Sequence, residues 1–352
     1  MLALLIGSLG TLALAPSFVA TRTAPTSAAR ASGVSLQSVF KLPDEATAEA
    51  DIARLNLECA SDLPGSDNLN VETALDTLDE WVRRIRFDTD RHLYRFRENP
   101  AEYENSEPFY RMLMMTTVIQ QGLGVRYNPE RARNPDFRDS RDLFIHGLLG
   151  DSRTGTCSSM PVLSVALGRR LGYPLKLAQA RSHLYVRWEH AGDKHLNFEA
   201  TSQGLLMKSD EYYQDWPEPL SEGELASGAF LRALSPREEL AVFLQMRGHC
   251  LEDNSRLAEA QVAYALAHQL FPSYPFALPF LAEAVQADLD RSPVFARRKM
   301  HAPARMPTAE ESIRLADEIN SRNSANLARL WRDSASPAVP WPAAPHFTGG
   351  MP

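Results

Sequence analysis

Cysteine is scarce in this chain. Only Cys59, Cys157 and Cys250 occur among 352 residues, an odd number of widely separated thiols with no CxxC pair. That excludes a disulfide framework and a cysteine-rich zinc site, and it predicts free thiols. A basic excess is also missing. The 37 Lys and Arg face 44 Asp and Glu, for a net charge of −7. Broad electrostatic affinity for nucleic acid or anionic lipid is therefore not expected, and no nucleic-acid partner is predicted. No nucleotide, flavin or haem motif occurs, so no cofactor is predicted. There is no HExxH either. His183, His190 and His195 cluster in the sequence, but His190 and His195 flank a loop and are expected to face solvent, which leaves no metal set.

One stretch lacks charge altogether. Leu2 to Ala20 is uncharged, and the first basic residue is Arg22. Such a run fits the apolar region of an export signal or a short membrane anchor. The usual basic start is missing, Phe18 spoils one small-x-small site, and Pro16 follows the better one at Ala13-Leu14-Ala15. The competing reading is a disordered or mis-started N-terminus.

What is present is enough for a substantial core, since 44% of the residues are hydrophobic. Residues 21–35 are small and polar and read as a linker. From Val71 a helical period sets in, with Leu75, Leu78, Val82 and Ile85 on one face. The basic run "RRIRFDTDRHLYRFRENP" then falls on a solvated face or in a following loop. A second apolar helix is predicted in "EPFYRMLMMTTVIQQGLG", ending near Gly122 or Gly124. After it comes a turn-rich segment and a short helix capped by Asp139 or Ser140, in which His146 reads as a packing residue. Beyond Pro174 the pattern turns to strands: "LKLAQA", "HLYVRWE" and "HLNFEAT", with "HAGDK" as the hairpin loop. Helices return at about Ser235, and the Pro- and Gly-rich end is expected to be disordered.

Within 236–290, Gly248 is followed by Ala260, Tyr264, Ala267 and Pro272 at offsets of 12, 16, 19 and 24. That is the tetratricopeptide spacing of small and aromatic positions. A second unit beginning near Pro275, with Leu278 and Leu281, is interrupted by Pro293. A chance match by an ordinary helix pair is the alternative. Either way, an isolated hairpin is expected to pack on the domain before it.

The local physics of Cys157 raises a sharper question. In "GTCSSMPVLSVALGRRLG", Pro161 has no N–H and is tolerated only in a first turn, so the helix must begin near Cys157. The run Val162 to Leu167 is nearly all apolar and predicts burial. A thiol at that N-terminus meets the positive end of the helix dipole, which favours the thiolate, and free first-turn N–H groups can stabilise an oxyanion. A buried inert cysteine is the plain alternative.

A thiolate nucleophile needs a base and an orienting group. In the predicted hairpin, Leu184, Val186 and Trp188 share one face with Leu196, Phe198 and Ala200. His183, Tyr185, Arg187 and Glu189 share the other with Asn197, Glu199 and Thr201. With the turn centred on Ala191, His183 lies directly opposite Glu199. Asn197, on the same face, is a fallback orienter. Tyr185 and Arg187 line either a substrate cleft or a hydrogen-bonded sheet surface. Gln120 and Gln121 are either oxyanion donors or solvated helix-exit residues.

Cysteine at a helix start, histidine at a strand start and a carboxylate on the next strand resemble the transglutaminase-like superfamily. The matching stretches are "GTC", "SHLYVRW" and "NFEAT", the last similar to that superfamily's Phe-Asp-Pro-Thr. The segments "YNPE…DFRDSRDLFIHGLL" and "GRRLGYPL" resemble its SirB-type bacterial branch, whose members often carry C-terminal tetratricopeptide-like helices. The resemblance implies a papain-like core with Cys157 as nucleophile, His183 as general base and later acid, and Glu199 in the usual Asp position. Glutamate is one methylene longer, so it must reach the imidazole from a different backbone offset.

The expected fold is α+β, a papain/transglutaminase-like core with the nucleophile helix packed on an antiparallel sheet, followed by a tetratricopeptide-like helical hairpin. The expected boundaries are residues 1–35 for a signal or anchor with its linker and 36–234 for the transglutaminase-like domain with an N-terminal helical subdomain. The helical region follows at 235–330 and a disordered tail at 331–352. The expected activity is that of a cysteine hydrolase or acyltransferase acting on an amide or peptide bond through a thioester. The alternative is an inactive scaffold that binds a protein partner through its C-terminal helices. A peptide or protein substrate, no cofactor, and an exported or membrane-anchored location (otherwise cytoplasmic) complete the reading.

Overall fold

The protein is described by a computed structural model that covers residues 50–131, 136–189 and 195–291. The uncharged N-terminal run, the linker, the "HAGDK" loop with His190, Pro293 and the C-terminal tail lie outside the described residues.

The described chain is α+β. Helix α1 (Ile52–Ala60) and α2 (Val71–Glu98) come first, then α3 (Glu107–Thr117), which runs into a π turn at Val118–Gly122. Strand β1 (Arg126–Tyr127), short helices α4 (Ser140–Leu143) and α5 (His146–Leu149) and strand β2 (Thr154–Gly155) lead into α6 (Met160–Arg170). Strands β3 (Leu175–Ala180), β4 (His183–Glu189), β5 (His195–Glu199) and β6 (Leu206–Lys208) form an antiparallel sheet in sequence order. Helices α7 (Asp210–Asp215), α8 (Glu222–Ala226), α9 (Pro236–Asp253), α10 (Leu257–Leu270) and α11 (Ala277–Arg291) follow among the described residues.

Local sequence explains where these elements begin. Asn70 accepts a hydrogen bond from the Thr73 N–H at 2.9 Å and caps α2. The inward face of that helix carries Leu75, Leu78, Val82 and Ile85, as their period predicts, with Ala74, Trp81 and Thr89 beside them. Its last two turns leave the core, and Phe87 and Tyr94 stand exposed among the arginines. Asp139 caps α4. Ser235 and Glu238 form a capping box that starts α9 at the predicted place.

Helix α6 is the centre of the core. Met160, Pro161, Val162, Leu163 and Val165 to Gly168 are all buried, and the helix packs on β3, β4, α1 and α2. The C-terminal helices pack on this body. Arg247 of α9 donates to the carbonyls of Cys59 and Ser61 at 3.0 and 2.7 Å, and Glu239 of α9 takes the Arg169 guanidinium of α6. Helices α9 and α10 lie against each other through Gly248. A Cβ there would sit 2.4 Å from the buried Tyr264 ring, so only glycine admits that aromatic. Among the described residues, no helix is long and apolar enough to cross a membrane.

Candidate active site

Strands β1 and β2 pair in parallel, with Tyr127 level with Gly155. The chain then turns sharply into α6. Gly155 is needed for space, because a Cβ there would meet Leu148 Cδ2 at 2.4 Å. Thr156 anchors the turn: its hydroxyl donates to the Asp142 carbonyl at 2.7 Å, and its carbonyl accepts from Met160 N at 3.1 Å. The helix proper starts at Met160, three residues after Cys157, with Pro161 in its first turn. Cys157 therefore sits in the lead-in turn and is half-buried. The amides of Thr156, Ser158, Ser159 and Met160 are bonded to Thr156 or Ser159. Among the described residues, the Cys157 N–H has no partner.

The histidine comes from the tight β3–β4 connection, where Ala180 pairs with His183. Pairing of β4 with β5 sets Val186 against Phe198 and Glu189 against His195. This differs from the predicted register. Continued by the same step, it puts Tyr185 level with Glu199, and His183 and Glu199 become diagonal neighbours. The face assignment survives because the shift is two residues, and strand side chains alternate with a period of two. The extra methylene of glutamate spans the diagonal. His183 Nε2 lies 2.8 Å from Glu199 Oε2, both side chains being buried.

Glu199 is saturated with donors. Oε1 accepts from the Thr201 N–H at 2.9 Å and its hydroxyl at 2.5 Å, and Oε2 also accepts from the Tyr213 phenol at 3.1 Å. Burial opposes its charge, but His183 and Thr201 hold its carboxyl below the usual range. The imidazole has two neighbours able to hold its proton. Burial disfavours the imidazolium, yet hydrogen bonding and charge from Cys157 and Glu199 outweigh it and raise His183 to about 9. Since Nε2 is committed to Glu199, Nδ1 is the nitrogen left for the thiol. Trp216 stands edge-on to the ring at 4.6 Å, and Tyr213 lies nearly parallel to it at 6.1 Å.

A raised histidine has a consequence for stability. Its contribution is fully present below the unfolded value of 6.5 and is lost as pH rises through about 9. Urea unfolding of the wild type should therefore weaken across that window more than that of His183→Gln, which keeps a donor to Glu199. Equal losses in the two proteins would remove the histidine from the linkage.

The remaining polar face of the sheet is closed. Helix α7 covers it, with Tyr213 stacked on Tyr185 at 3.8 Å and 7°. Arg187 donates to Asn197 Oδ1 at 2.9 Å and to the Tyr185 phenol at 3.2 Å, and it pairs with Asp210. Asn197 donates to Asp210 at 2.8 Å, so it is not the orienter. His195 bonds Asp210 at 2.9 Å while its side chain stays 32% exposed. Tyr185 and Arg187 thus belong to a buried network and line no cleft. Gln120 is also occupied: it donates to the Ser202 carbonyl at 2.9 Å and accepts from the Gly204 N–H at 2.8 Å, while Gln121 is exposed. His146 contacts Ser140 Oγ at 3.2 Å, and burial lowers it to about 4, as suits a packing residue.

Residues 72–245 match the family model described as the transglutaminase-like superfamily. The matched segment is a transglutaminase-like domain. It holds Cys157, His183 and Glu199 together with the strands and helices that place them. No curated protein and no solved structure matches the chain.

Sequence reasoning missed three neighbours of the candidate site. Tyr213 and Trp216 come from the polar stretch "DEYYQDW", where two adjacent tyrosines and a tryptophan among acids were the available signal. Tyr127 was legible only as the first residue of "YNPE", and its place depends on β1 pairing with a strand of two residues. A cavity of about 560 Å³ lies elsewhere, lined by Asn68, Thr73, Asp139, Arg141 and His146 among others. None of the three site residues lines it. Among the described residues, no group of His, Cys, Asp and Glu is arranged to hold a metal ion.

Proposed function

We propose that this protein is a cysteine hydrolase or acyltransferase acting on an amide or peptide bond, with Cys157 as nucleophile, His183 as acid and base, and Glu199 as orienter. The observation that carries the reading is one imidazole hydrogen-bonded to a buried carboxylate at 2.8 Å through Nε2 and raised to about 9, with Cys157 and Glu199 as the causes that outweigh burial. The thiolate adds to the carbonyl carbon, and the carbonyl electron pair moves to oxygen. Collapse expels the amine, which takes its proton from His183 and leaves a thioester. Water or a second amine then adds to the thioester, giving its proton to His183. Collapse returns the thiolate and releases the acid or the new amide. Glu199 keeps the ring oriented and stabilises the imidazolium.

A second reading retains the fold as an inactive scaffold, and the burial of His183 under Tyr213 and Trp216 favours it. The close contact of Gly248 with Tyr264 supports reading α9 and α10 as a tetratricopeptide-like hairpin for a protein partner, as in the SirB-type branch. An N-terminal anchor or export signal belongs to the same proposal.

Iodoacetamide separates the two readings. Cys59 and Cys250 are fully buried, and burial pushes their thiols up to about 12 and about 11. At pH 7 the native hydrolase should be carboxamidomethylated at Cys157 alone, and His183→Ala should slow that reaction at least about tenfold. If Cys157 reacts no faster than the two buried thiols, or the variant reacts at the wild-type rate, the enzyme reading is lost and the scaffold stands.

A further inference from the structure

A thioester mechanism needs more than a nucleophile and a base. The carbonyl oxygen becomes negative when sulfur adds, and donors must already point at it. The unpartnered Cys157 N–H can supply one. Gln120, the side chain that sequence reasoning offered for the second, has both ends of its amide bound to the 202–204 loop.

Tyr127 is a candidate for the second. It lies level with Gly155 in the parallel β1–β2 pair, two residues ahead of Cys157. The pair is locked on both sides of it, by Arg126 N on the Arg153 carbonyl at 2.9 Å and Asn128 N on the Gly155 carbonyl at 2.8 Å. Its ring is half-buried against the main core, so the backbone and the ring are both held. Its hydroxyl has no hydrogen-bond partner among the described residues, and packing alone would be served by phenylalanine. Burial, followed by the nearby charges of Cys157 and Glu199, raises its titration, so the phenol keeps its proton and remains a donor.

We infer that Tyr127 is a catalytic residue, its phenol O–H donating to the oxyanion formed when Cys157 adds to a carbonyl. The inference rests on the hydrolase reading given above. The tyrosine keeps its proton throughout and acts only as a hydrogen-bond donor. With p-nitrophenyl acetate as probe, the thiolate adds to the ester carbonyl and the electron pair moves onto oxygen between Tyr127 and the Cys157 N–H. Collapse expels p-nitrophenolate and leaves acetyl-Cys157.

The test compares two reactions of one thiol. Acylation by p-nitrophenyl acetate passes through an oxyanion, whereas alkylation by iodoacetamide is a displacement at a CH₂ group and does not. Tyr127→Phe should slow acylation by about 10²-fold, the usual effect of losing one oxyanion donor, and leave alkylation within about twofold, which also reports an intact site. Unchanged acylation overturns the inference, as does an equal fall in both rates, which would make Tyr127 a support for the thiol. A wild type alkylated rapidly at Cys157 but not acylated there overturns the inference alone. A wild type showing neither reaction at Cys157 overturns the hydrolase reading as well.

Discussion

Glu199→Gln is expected to slow Cys157 acylation by about 10³- to 10⁴-fold, the scale on which an amide in the orienting position disables a histidine base. The amide fits the same space, and its oxygen can still accept from the Thr201 N–H and hydroxyl. Its NH₂ must then face His183 Nε2 and the Tyr213 phenol, where the carboxylate accepted at 2.8 and 3.1 Å. Nε2 becomes an acceptor, and the ring proton moves to Nδ1, the nitrogen that has to take the proton from the thiol. The loss of charge acts in the same direction. Without the carboxylate, one of the influences holding His183 up at about 9 is gone, and its titration falls toward 6.5. The limb of the acylation pH profile that belongs to His183 should move to lower pH with it. Acylation within about tenfold of the wild type would show that Glu199 does not orient the base.

The largest loss of stability is expected from Glu239→Ala. Glu239 is 1% exposed, and Arg169 grips both of its oxygens, at 2.9 Å to Oε2 and 2.5 Å to Oε1. Burial pushes this carboxyl up, and the guanidinium pulls it back. Truncation leaves Arg169 holding only the Leu175 carbonyl at 2.9 Å, with a void where α9 meets α6. Removing one member of a buried pair costs about 3–5 kcal/mol. The lower end is expected here because Arg169 retains 26% side-chain exposure. The midpoint of urea unfolding reads this directly, and a loss below about 1 kcal/mol would place the pair among ordinary surface bridges.

These two residues differ in how legible they were. Glu199 was readable because β-strand alternation is a strictly local rule: His183 and Glu199 share a face whatever the register, provided the shift is even. The register itself was not readable, since it depends on how the 190–194 loop closes. The structure resolves it two residues away from the simplest guess. Glu239 gave no signal. A glutamate near the start of a helix, beside a capping box, reads as a solvated first-turn acid. Only the docking of α9 on α6 buries it against Arg169.

The covering of the sheet followed the same division. The apolar face of β4 and β5 was evident from Leu184, Val186, Trp188 and Phe198, all of which lie in the core. On the opposite face, Arg187 read as lining a substrate cleft or a hydrogen-bonded sheet surface, Asn197 as a fallback orienter and His195 as facing solvent. That face is instead closed by Asp210 and Tyr213 of α7, residues from a segment whose polarity concealed its role.

The amino-acid sequence by itself determined the helix and strand periods, the caps at Asn70, Asp139 and Ser235, and the placing of Cys157 just ahead of a buried helix by Pro161. Each follows from backbone chemistry within a few residues: a missing N–H, a side-chain oxygen on a free amide, an alternation of faces. Tertiary structure alone decided that Glu199 reaches His183 along a diagonal, that Gln120 is occupied and that Tyr127 stands level with Gly155 in the β1–β2 pair. Those outcomes depend on distances between segments tens of residues apart, and such distances are set by packing, which no local pattern encodes.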